Sequence, residues 1–162
     1  MQQSQSSQIK ALSTLYLFLL IGQVILALVF LLCVNNVGFS QAPTDSYLFI
    51  FLASISGVAG YLGGSVMFRK KLEQINGNMK SIPEKFNDYR NACINRWALM
   101  EFAILFSFML FFVSKYSVIF IIAIVFLLLF ITLKPSLQKT ASDLNISEIE
   151  IQQLNADNSS VE

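Results

Sequence analysis

Ser81-Ile-Pro-Glu-Lys-Phe-Asn-Asp-Tyr-Arg-Asn-Ala-Cys-Ile-Asn-Arg-Trp-Ala-Leu-Met-Glu101-Phe-Ala-Ile-Leu105 passes from a polar loop into an apolar helix. It carries one carboxylate beyond the point where the polarity ends, and Glu101 is the only acidic residue inside any long apolar run. Ser81-Ile-Pro-Glu84 has the form of a capping box, with Pro near the first turn, where its missing N–H costs nothing. Phe86, Tyr89 with Arg90, Cys93 and Trp97 then recur at three- and four-residue spacing, which predicts a helix.

Upstream, Arg69-Lys-Lys71 closes an apolar run, but helical spacing continues through Leu72, Ile75 and Met79 until Asn76-Gly77-Asn78 interrupts it. The expected object over 69–96 is therefore a helical hairpin with its tip at 76–81. The run before it, 47–68, carries Ala53, Gly57, Gly60 and Gly64 at spacings of four, three and four. That face lets another helix backbone approach closely, whether within one bundle or between copies in a ring. Downstream, 97–114 and 116–133 are apolar, and the short link at Lys115 forces an antiparallel pair.

Within the tail 1–10, residues 1–9 are rich in Gln and Ser and read as disordered, whereas 11–34 form a run long enough to cross a bilayer. Only Ser13, Thr14, Gly22 and Gln23 interrupt it. The run is too long for a typical signal-peptide core and no Ala-x-Ala site follows, so it reads as a retained span. A turn-forming outer loop occupies 35–46. The segment 134–162 reads as a polar, acidic tail in which Ser147-Glu-Ile-Glu150 caps a short surface helix.

Composition agrees with this layout. The chain has 162 residues, of which 55% are hydrophobic and 13% charged, with a net charge of +1. Soluble domains carry roughly twice that charged fraction. Near-neutral charge without a basic, aromatic-interleaved patch argues against nucleic acid as a partner. There is no His, which removes His-based zinc sites, His-activated nucleophiles and imidazole relays. Cys33 and Cys93 fall on opposite sides of the expected membrane and read as small apolar residues. No cofactor, metal site or catalytic constellation is expected, and so no enzyme.

Lys and Arg set the orientation. The 69–96 segment holds seven, the N-terminal tail one and the C-terminal tail two, against none in the outer loop and one at 114–117. The positive-inside rule then places both termini and the hairpin in the cytoplasm. The fold class expected is all-α: an integral membrane four-helix bundle with a cytoplasmic helical hairpin between its second and third spans. Small size and the absence of targeting signals suggest a bacterial inner membrane. The partners expected are the lipid bilayer and other membrane subunits or further copies of the chain.

Counting back about 20 residues at ~1.5 Å each from Lys115 puts the inner boundary near Asn95 and Glu101 roughly 9–10 Å inside it. The cost of a carboxyl there must be offset by a partner, by protonation or by water. Ser65 and Tyr16 lie at comparable depth as donors. Two readings stay open: a structural carboxyl hydrogen-bonded between helices, and a titrating, ion-binding one.

Over residues 50–115 the sequence resembles the proteolipid c subunit of rotary ATP synthases. Pro83-Glu84, Arg90 and Ala98-Leu-Met-Glu101 carry the resemblance, behind a glycine-bearing helix. Ser81-Ile82 replaces that family's Arg-Gln, and the first and fourth spans are additional. The resemblance implies an ion-translocating subunit in which Glu101 binds a proton or cation, and a loop of Pro83, Glu84 and Arg90 contacts a partner.

Overall fold

A computed structural model describes residues 5–37, 46–78 and 81–146. All its regular structure is helical: α1 (Gln5–Val37), α2 (Ser46–Gly77), α3 (Ile82–Ser114), α4 (Ser117–Ile131) and α5 (Leu137–Leu144). The first three are long and apolar enough to cross a membrane. At 15 residues, α4 is shorter.

The most extensive contact joins α2 and α3. The small residues of α2 explain how closely they approach. A Cβ on Gly60 would sit 2.9 Å from both the Leu99 carbonyl oxygen and the Ala103 Cβ, and one on Gly64 would sit 3.2 Å from the Arg96 carbonyl oxygen. On Gly57 it would collide with the Phe126 ring of α4, and Ala53 is fully buried beside Phe111 and Ile119. This small-residue face is thus filled from within the chain.

Local chemistry accounts for the ends of α3. Glu84 Oε2 accepts from the Ser81 backbone N–H at 3.1 Å and from the Ser81 hydroxyl at 2.9 Å, closing the turn that starts the helix. At the other end Lys115 adopts φ 55°, and its N–H donates to the Phe111 carbonyl at 2.7 Å. This left-handed residue reverses the chain into α4.

Two expectations are corrected. The N-terminal tail is helical from Gln5, because α1 extends beyond its apolar run and buries Ile9 and Leu12 in the common core. The segment after Lys134 does not simply trail away. Ser136 accepts from the Lys139 N–H at 3.2 Å and starts α5, whose Thr140, Ala141 and Leu144 are buried. The expected cap at 147–150 lies outside the described residues.

Candidate functional site

Where the apolar run of α3 begins, aromatic side chains complete the end of α4. The last carbonyls of a helix have no partner within it, and in an apolar surrounding each unsatisfied one is costly. The Tyr16 hydroxyl donates to the carbonyls of Phe130 at 3.0 Å and Ile131 at 3.2 Å. Trp97 Nε1 donates to the Leu133 carbonyl at 3.3 Å. The Tyr16 ring stacks on Phe130 at 5.2 Å and meets Trp97 at 5.3 Å, so the hydroxyl is held in place by packing. Trp97, the only tryptophan, is 1% exposed.

Below this layer α5 docks on the hairpin. Asn76 Nδ2 donates to the Asp143 carbonyl at 2.9 Å, and the Tyr89 hydroxyl donates to Asp143 Oδ2 at 3.0 Å. Burial, with the neighbouring Cys93 and Asp143 adding to it, raises the Tyr89 phenol above its ordinary range. Burial likewise pushes the Cys93 thiol up to about 12. Cys93 is therefore a buried, protonated packing group rather than a thiol accessible to labelling, whereas Cys33 is exposed on α1.

Arg96 lies beside Trp97 on the α2 side of α3. Its Nη2 donates to Ser65 Oγ at 3.2 Å, and its guanidinium lies 5.1 Å from the centre of the Phe68 ring. Ser65 and Gly64 are thus level with Arg96, because the antiparallel register sets Gly64 against Arg96 and Gly60 against Leu99 and Ala103.

Glu101 sits one turn further along α3 than Trp97, half-buried on the flank of the buried stripe. Exposed Ala98 and Phe102 adjoin it. Neither hydroxyl expected to reach it does so: the Tyr16 hydroxyl donates to the end of α4, and Ser65 sits beside Arg96, from which its Oγ accepts. Among the described residues no hydrogen bond or ion pair reaches its carboxylate.

Of the remaining candidates, Pro83, Glu84 and Arg90 are exposed near the start of α3, with Glu84 occupied by the cap. No group of His, Cys, Asp and Glu among the described residues has the makings of a metal site. One polar residue is more than an interruption of an apolar run: Gln23 of α1 is 1% exposed, with neither amide atom hydrogen-bonded among the described residues. Its position deep in an otherwise apolar span was the available signal. Compared with known proteins, the chain matches no family model, no curated protein and no solved structure.

Proposed function

We propose that the chain is a four-span membrane protein with both termini and the α2–α3 tip in the cytoplasm. In this reading it acts as a non-enzymatic structural subunit of a membrane complex and meets its neighbour through Glu101. Helix length and hydropathy support the first three spans. For α4, 15 residues rise about 22 Å, and tight-turn bonds at Thr132, Leu133 and Lys134 carry the apolar path further. The excess of Lys and Arg in 69–96 supports the orientation.

The observation that carries the assembly role is the bare Glu101 carboxylate. An acidic group costs on the order of 2.5–3.5 kcal/mol at the bilayer centre, and less at shallower depth. With no donor from its own chain among the described residues, a donor on an adjacent subunit's helix removes that cost. Packing and interhelical hydrogen bonds are what join helices in lipid, where no hydrophobic drive remains.

In-cell photo-cross-linking tests this reading. A benzoylphenylalanine at Ala98, one turn before Glu101, is expected to give a protein adduct of discrete mass that disappears in Glu101→Leu. The same probe at exposed Ile55 on α2 is expected to give none. Equal adducts from Ala98 with and without Glu101 would remove the carboxylate from the interface.

The same bare carboxylate favours a second reading, a proton- or cation-translocating subunit of the kind the c-subunit resemblance implies. Purified chain in liposomes would then carry an ion flux that Glu101→Gln abolishes. Flux that survives the substitution would dispose of that reading.

A further inference from the structure

Arg96 has an unfinished environment. Its Nε is buried and has no partner, although Nη2 is bonded to Ser65. The Arg96 side chain also lines a groove of about 480 Å3 between α2, α3 and α5, which takes in Arg69 and Lys139 as well. A volume in the roughly 300–1,000 Å3 range is that of a ligand site. Three cations line this groove against one carboxylate, Asp143, which already accepts from Tyr89. None of the three is ion-paired with a carboxylate among the described residues. The groove lies where the apolar run of α2 meets Arg69-Lys70-Lys71.

The groove also has an apolar side. Leu62 and Val66 line it, and both are exposed. On α2 they continue a row of exposed apolar side chains, Phe51, Ile55 and Val58, at spacings of three and four that keep them on one helix face. A cationic notch thus opens onto a strip of apolar surface running along the bundle. A free anion would use only the notch. A phospholipid uses both, its phosphate among the cations and an acyl chain along the strip.

We propose that this groove binds the headgroup of an anionic phospholipid. Arg96 supplies a guanidinium fixed in place by Ser65 and Phe68, while Arg69 and Lys139 close on the phosphate from α2 and α5. A basic notch at the membrane boundary is the setting in which anionic headgroups are recognised, and a guanidinium fork fits phosphate oxygens. Because Lys139 and Asp143 belong to α5, the lipid would also tie the C-terminal helix to the hairpin. The inference rests on the membrane reading above and adds to it a specific lipid class.

The test is native mass spectrometry of the purified full chain in neutral detergent, titrated with phosphatidylglycerol, phosphatidylcholine or inorganic phosphate. Phosphatidylglycerol adducts are expected to form in preference to phosphatidylcholine, and millimolar phosphate is expected not to displace them. Removing one charge at Arg96→Gln or Lys139→Gln is expected to weaken binding about fivefold. Lys70→Gln, an exposed neighbour outside the groove, is the charge-matched control and is expected to change nothing. Lys139 is exposed, so its variant keeps the test decisive if Arg96→Gln fails to fold.

Equal weakening by Lys70→Gln, no preference for phosphatidylglycerol, or displacement by phosphate would overturn the site. Carbonate extraction of membranes separates the two readings. Release of the chain would overturn the membrane reading and the lipid source with it, whereas retention without lipid preference would overturn the site alone.

Discussion

Arg96 and Glu101 stand five residues apart on one helix, and the molecule treats them differently. Around Arg96 the fold has built a setting: a hydroxyl from α2, an aromatic face beneath the guanidinium, and Gly64 allowing the close approach. Around Glu101 it has built nothing among the described residues. The difference follows from the helical wheel. Arg96 shares the face that meets the small residues of α2, whereas Glu101 falls on the opposite flank of the buried stripe, beside exposed Ala98 and Phe102. A charge held by its own chain is oriented by the fold, even where, as at Arg96, part of the guanidinium stays without a partner. A charge held by none, in the reading proposed above, belongs to an assembly.

The sharpest way to break the comparison is to remove the layer between the two charges. Trp97→Ala deletes a fully buried ring and leaves the Leu133 carbonyl unpaired. It is expected to cost about 3–5 kcal/mol, read as the largest fall in thermal midpoint of the detergent-solubilised protein. Gly60→Leu comes next. Its side chain meets the backbone of α3 at Leu99, and overpacking of this kind costs about 1–3 kcal/mol. A midpoint unchanged by Gly60→Leu would mean that the α2–α3 contact that seats Arg96 is looser than described.

Alkali is expected to act on the Arg96 side. Folding holds the Cys93 thiol and the Tyr89 phenol protonated, with the thiol raised from 9.0 to about 12. Their contribution to stability is therefore complete below pH 9, the thiol's ordinary value. It is lost as pH rises toward about 12, when the unfolded chain gives up protons that the folded chain keeps. The thermal midpoint should decline above pH 9, with α5 separating first. For the same reason Cys93 should resist maleimide at pH 8 while exposed Cys33 reacts. The smallest effect expected is that of Glu101→Gln on the isolated chain. With no partner among the described residues to lose, its stability should stay within about 0.5 kcal/mol of wild type.

Much of this architecture was legible in the sequence because the signals were local. The Ser81–Glu84 cap, the Asn76-Gly77 end of α2 and the reversal at Lys115 each lie within a few residues of the structure they specify. The spacing of Gly57, Gly60 and Gly64 gave the close-approach face, though not whether its counterpart was α3 or another copy. What escaped depended on register between distant segments. Depth along the sequence pairs Ser65 with Glu101, but the antiparallel register sets it level with Arg96. Tyr16 was a donor without an address until α4 brought its terminal carbonyls alongside. The helix α5 was announced by Ser136 after Pro135 and by Thr140, Ala141 and Leu144 at helical spacing, but a polar composition concealed it. Glu101 stood out by composition alone, and only the structure distinguishes a carboxyl that is paired from one that is not.

The most direct test of the assembly role is the mass of the particle extracted by a mild detergent or taken directly into native nanodiscs. Wild-type chain is expected in a complex larger than one copy. Glu101→Leu is expected as a single, fully helical chain with the thermal midpoint of the isolated wild-type chain. Particles of the same mass for both, or a variant that loses its helicity, would contradict the account by assigning Glu101 to the lipid or to the fold.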